Sequence, residues 1–280
     1  MERIWSGTLR KMRVEATAPV AYRLADGFHD PGRRAPDRPL NPHLGGRLEL
    51  RFAGAITCVA CGRSVKKSFG EGYCYPCFTT LAEADQCIVK PHLCHYFDQS
   101  HPCRDDSFAR AHCFQPHVLY VSLTSAFKVG ITRRANLPDR WIDQGAVAAM
   151  PLAELPSRRE VGLLEHALAQ RFADRTHWMR MLREARPEGD LPAYAREVVA
   201  AIAELGTPGI LPEPERVERT FAYPVVSYPE KVKSLDLEKA GTVAGTLLGI
   251  KGQYLILDAG VINLRKYAGY AVEVHVEGGA

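Results

Sequence analysis

Cys58-Val-Ala-Cys61 and Cys74-Tyr-Pro-Cys77 form two C-x2-C pairs separated by twelve residues, with Gly62 directly after the first pair. A knuckle of this kind aims two thiolates at one ion. Two knuckles complete a tetrahedral S4 site, which in zinc proteins is closed and leaves no position for a reacting water. The pattern predicts a structural Zn2+ in a zinc ribbon. Cys87, Cys94, Cys103 and Cys113 follow at irregular separations, interleaved with His92, His95, His101 and His112. Reduced cysteines at this density point to a second metal site. Four thiolates suit zinc or an iron–sulfur cluster, whereas a histidine in place of one favours zinc with an open, reactive position.

Cations come next. "HVLYVSLTSAFKVGITRRANLPDRW", residues 117–141, reads as two short apolar strands around a turn. Between positions 128 and 140 it carries Lys128, Arg133, Arg134 and Arg140 against the single acid Asp139. Guanidinium forks match phosphate oxygens bidentately, so this run is a candidate phosphate surface, with a solvated basic face as the plainer alternative. Arg133, Arg134 and Gln144 are the candidate nucleic-acid contacts.

"VLYVSLTSAFKVGITRR", "LPDRWIDQGA" and "RREVGLLEHAL" together resemble the GIY-YIG endonuclease superfamily, in branches whose second motif reads K-[IV]-G-x-T. The resemblance covers about residues 117–172. It implies that Tyr120 is the tyrosine of the first strand, that Lys128-Val129-Gly130 forms the second strand, that Arg140 is the helix arginine and that Glu165 binds a divalent ion, Mg2+ or Mn2+. The implied reaction is phosphodiester hydrolysis, with a tyrosine helping to deprotonate water and an arginine stabilising phosphoryl charge. Lys128 stands where the pattern has its second tyrosine. A lysine is a point charge for phosphate and an unusual substitute for a phenol that shares a proton with water. Nearly the whole chain, from "LNPHLGG" through "GYCYPCF" to "GIKGQYLILDAGVINLRKYAGY", also resembles a family of uncharacterised multi-domain proteins.

These side chains need a frame. Ser157-Arg-Arg-Glu160 has capping-box spacing and predicts a helix whose buried face carries Val161, Leu164, Leu168 and Phe172, with Glu165 at the edge of that face and Arg140 as a candidate ion-pair partner for it. A second helix is predicted after Asp190-Leu-Pro192, burying Tyr194, Val198, Ile202 and Leu205 and stopping at Gly206. Trp141 turns away from Arg140 into the core, and Asp174 with Thr176 reads as the cap of a further helix. "GRLELRFAGAI" alternates like a strand, and the preceding Pro/Gly/Arg-rich stretch, 26–46, reads as a long loop. "GTPGILPEPE", 206–215, reads as a linker, followed by short strands broken by glycines.

The resulting expectation is an α+β, multi-domain chain. It has a small N-terminal β unit (1–57), a cysteine-rich metal module (58–116), a GIY-YIG-like α/β domain (117–205) and a small C-terminal β barrel or sheet (217–280). Apolar residues make up 46% and charged residues 24% of the 280, with a net charge of +4, which is ordinary for a globular protein and far from histone-like. No apolar run approaches a membrane span, and "MERIWSGTLRKMRVEA" lacks the apolar core of a secretion signal, so a cytoplasmic location with reduced or metal-bound cysteines is expected. The reading that joins these features is a zinc-containing protein acting on nucleic acid, DNA or RNA, through a nuclease-like site. Its competitors are an RNA- or tRNA-modifying enzyme using the second cysteine set, and a non-catalytic nucleic-acid-binding protein with a degenerate nuclease domain.

Overall fold

The computed structural model describes residues 1–98 and 101–277. It is a mixed α/β structure in two compact units, Met1–Phe78 with the chain from Ala222 onward, and Thr79–Phe221. Among the described residues no helix is long and apolar enough to cross a membrane.

The first unit is built on a seven-stranded antiparallel sheet. Its order is Glu2–Thr8, Tyr270–Val276, Arg47–Thr57, Thr242–Lys251, Tyr254–Leu257 and Gly260–Asn263, with Ser64–Val65 paired on Arg47–Thr57. Strand alternation sends Leu48, Leu50, Val272 and Val274 inward, where each is essentially inaccessible. The segments 1–57 and 217–280, expected as separate β units, therefore share one sheet: Arg51 pairs with both Thr242 and Glu273. The sheet is open, so the barrel alternative does not apply. The Pro/Gly/Arg-rich stretch is also more ordered than a loop. Asp26 accepts hydrogen bonds from the backbone N–H groups of Thr8, Phe28 and Ala35, and Arg38–Pro39 joins a small second sheet with Arg13–Glu15 and Ala21–Leu24.

The second unit holds the hairpin. Its four-stranded antiparallel sheet runs Arg219–Thr220, Ala148–Leu155, His117–Leu123, Phe127–Arg133. Every residue of His117–Leu123 is buried, as befits a central strand covered on both faces. Helices Arg158–Leu168 and Leu191–Glu204 pack on the sheet and on each other. The first has the predicted cap: the Ser157 hydroxyl accepts from the Glu160 N–H and donates to the Glu160 carboxylate at 2.8 Å. Val161, Leu164 and Leu168 are buried as the periodicity requires. The second is capped by Asp190 and ends at Gly206, but Leu205 is 50% exposed, since its turn has already passed the end of the sheet-facing stripe.

Strand Ala148–Leu155 has no counterpart in the sequence expectation. Pro151 argues against a strand by removing a ladder N–H, and here it stands opposite Tyr120 directly beside a register shift, the kind of irregularity at which proline is tolerated in a sheet. The expected linker is not free either. Ile210 bridges Ala153, and Leu211 donates to the Leu152 carbonyl, so the segment runs along that strand.

Candidate functional site

The hairpin register pairs Tyr120 with Gly130 and Ser122 with Lys128, which puts the Tyr120 and Lys128 side chains on one face. Tyr120 is fully buried. Its hydroxyl donates to Gln144 Oε1 at 2.7 Å, and its ring meets Trp141 edge-on at 5.8 Å within a cluster of Val118, Trp141, Ala146 and Ala149. Trp141 is thus a core residue, as its helical position predicts. A Cβ at position 130 would stand 2.7 Å from the Tyr120 hydroxyl, so the glycine of "KVGIT" is what makes room for the phenol.

Helix Asp139–Asp143 brings Arg140 to this face, and helix Arg158–Leu168 brings Glu165. Arg140 and Glu165 each act electrostatically on both Tyr120 and Lys128. Burial pushes the Tyr120 phenol up, while the Arg140 charge and hydrogen bonding oppose that shift. Burial, aided by Arg140, brings Lys128 down to about 8 against the pull of Glu165 and Asp174. Burial, then the Asp174 charge, raises Glu165 to about 7, opposed by Lys128, Arg140 and Arg158. Burial dominates each shift, so the site holds charge in a place where charge is costly.

Asp174 is a member that its sequence context disguises. The cap of the next helix, Trp178–Met181, is His177, whose Nδ1 accepts from the Arg180 N–H, while Thr176 bonds Thr124 at 3.1 Å. This corrects the cap reading of Asp174 and Thr176. Among the described residues Arg140 and Glu165 form no direct ion pair. Of the three expected nucleic-acid contacts, Gln144 is engaged with Tyr120, Arg134 is ion-paired with Glu154, and Arg133 reaches Asn136 at 3.4 Å. A divalent ion fits Glu165 in charge, because its buried carboxyl also feels the negative charge of Asp174.

In the first unit, Cys58, Cys61, Cys74 and Cys77 gather with all four sulfurs within 4.8 Å of one another, Cys61 and Cys74 at 3.7 Å. Burial opposes ionisation of Cys58, but the backbone N–H groups of Cys61, Cys74 and Ala60 overcome it and bring the thiol down to about 6. The spacing of the four sulfurs and the thiolate character of Cys58 fit a structural ion such as zinc, although burial and its cysteine neighbours push the Cys77 thiol upward. The second set lies in the other unit. Cys87, Cys94, Cys103 and Cys113 are all unbridged and line a single cavity. Burial pushes the Cys87 thiol up to about 12 and Cys113 upward.

No curated protein and no solved structure matches the chain. One protein-family model does, over residues 45–272, a span that takes in both cysteine sets, the hairpin and most of the large sheet. The chain therefore belongs to the family described as "Protein of unknown function (DUF2797)".

Proposed function

We propose that the hairpin site acts on nucleic acid, hydrolysing a phosphodiester with the help of a divalent cation. One observation carries this reading: Tyr120, Lys128, Arg140 and Glu165, supplied by four different elements, meet in one place, and burial displaces the pKa values of the phenol, the amine and the carboxyl. Displaced titrations on converging acid, base and guanidinium groups are the mark of a working site more often than of a structural one.

In this reading each group takes the role that its chemistry suits. Arg140 binds non-bridging phosphate oxygens through its fork. Glu165, with the Asp174 charge acting on it, would hold a hard divalent cation, which when bound would supply neutralisation of the charge that develops on the phosphoryl group. Tyr120 has committed its proton to Gln144 and its pKa is raised, so it orients Arg140 and Gln144 rather than taking a proton from water. That proton goes to Lys128, because an amine brought down to about 8 is a competent general base near neutrality, which an ordinary lysine is not.

The test uses the purified full chain on labelled DNA and RNA with Mg2+ or Mn2+. Cleavage rate should rise with pH and level off above about 8, since the base must be deprotonated. Glu165→Gln and Lys128→Arg should each lower it by about 100-fold or more. Absence of cleavage by the parent protein on either polymer overturns the proposal, and so does full activity in Lys128→Arg for the role given to the amine. Salt-sensitive binding without cutting would point instead to the non-catalytic reading.

A further inference from the structure

We infer that Cys87, Cys94, Cys103 and Cys113 hold an iron–sulfur cluster, a second metal centre separate from the tetrahedral site and independent of the hairpin chemistry. The four residues come from unrelated pieces of chain. Cys87 lies in the short helix Gln86–Val89, Cys94 follows the turn Pro91–Leu93, Cys103 lies in an irregular segment, and Cys113 closes the helical turn Ala109–Cys113. Nothing in local structure makes these elements bring sulfur to a common point, yet all four line one cavity and none is bridged to another. Packing alone is a poor reason for four convergent thiols.

Spacing separates the two classes of metal. The first set draws every sulfur within 4.8 Å of the others, as one tetrahedral ion demands. In the second, the close-set trio is Asp85, Cys87 and His95, and Cys94, Cys103 and Cys113 stand outside it. That trio is accounted for without a metal. Asp85 caps the helix through the Cys87 N–H and pairs with Arg104 at 2.9 Å and His95 at 3.5 Å. His95 Nδ1 is held by the His101 carbonyl at 2.7 Å. What remains is four thiols around one cavity, no three of them mutually within 4.8 Å, a spacing wider than a single tetrahedral ion demands and suited to a polynuclear core, whose ligands stand at its corners.

The surroundings agree. Tyr96, Phe97, Phe108 and Phe114 form an apolar wall, the kind of shell that limits solvent at a cluster. Arg158 also lines the cavity. Its Nη2 bonds the Ile88 carbonyl, but its Nε is buried without a hydrogen-bond partner. Four thiolates around iron and sulfide carry net negative charge, and sulfide and thiolate sulfurs accept hydrogen bonds. A cluster therefore gives this cation both its counter-charge and its missing acceptor, which neutral thiols do not.

The full chain, produced and purified without oxygen, decides the matter. Iron and acid-labile sulfide should be present in equal amounts beside about one zinc per chain, with visible absorption that bleaches in air. Cys103→Ser should lose iron and sulfide and keep the zinc, and Cys61→Ser should do the reverse. The parent's own metal content does not depend on whether either variant folds. Two zinc ions without sulfide, or zinc alone at one per chain even after anaerobic incubation with ferrous iron and sulfide, overturns the inference.

Discussion

Glu165 and Lys128 attract each other, yet burial holds the carboxyl at about 7 and the amine at about 8, so neither is comfortable in its charged form. For the carboxyl the linkage is direct. Its folded pKa lies above that of an unfolded glutamate, so its favourable contribution is full below the ordinary glutamate range and is lost as pH rises through about 7. Glu165→Gln should accordingly stabilise the chain by about 1–3 kcal/mol at pH 8 without added Mg2+ or Mn2+, and much less at pH 5. Urea unfolding at the two pH values measures this, and a loss of stability at pH 8 would contradict it. Most of this constellation is legible in the sequence, because Tyr120, Lys128, Arg140 and Glu165 are the positions that the resemblance singles out. Asp174 is not. "DRTHW" offers sound cap chemistry, and only the folded chain shows that His177 takes the cap and that the Asp174 charge acts on Glu165.

At the scale of elements, helix Arg158–Leu168 joins both candidate sites: Arg158 at its start lines the cysteine cavity, and Glu165 on its third turn interacts electrostatically with Lys128 of the hairpin. Its position is fixed by Gly162, where a Cβ would collide with Pro91, so the helix lies directly on the segment between Cys87 and Cys94. Its start depends on Ser157, which serves Glu160 as both acceptor and donor. Ser157→Ala should cost about 1 kcal/mol, and Ser157→Asp much less, because a carboxylate still accepts from the helix N–H groups. Thermal unfolding of the three proteins checks that order. Helices with such caps are readable from sequence because their signals are local. Strand Ala148–Leu155 is not, since Pro151 argues against a strand and the register shift beside it, which leaves Leu152 unmatched, exists only in the pairing with His117–Leu123.

At the scale of the whole molecule, long-range pairing is what sequence patterns conceal. The alternation of "GRLELRFAGAI" announces a strand but not its partners, which lie beyond residue 240 on both sides. A chain ending at Phe221 would strip Arg47–Thr57 of Thr242–Lys251 and Tyr270–Val276 together. Limited proteolysis of such a fragment should degrade residues 1–78 quickly and leave a resistant core from about Thr79 to Phe221. Equal resistance of both parts would show that the first unit does not rest on its late strands.

That shared sheet also orders events during synthesis. Growing chains ordinarily settle their N-terminal part first. Here Glu2–Thr8 must wait for Tyr270–Val276 to leave the ribosome, whereas every strand of the hairpin unit has emerged by Thr220. The hairpin unit is therefore expected to settle before the large sheet, and the cysteines of the first knuckle spend that interval beside a strand, Arg47–Thr57, that still lacks Thr242–Lys251 and Tyr270–Val276. A supply of zinc to the nascent chain would be worth most in that window.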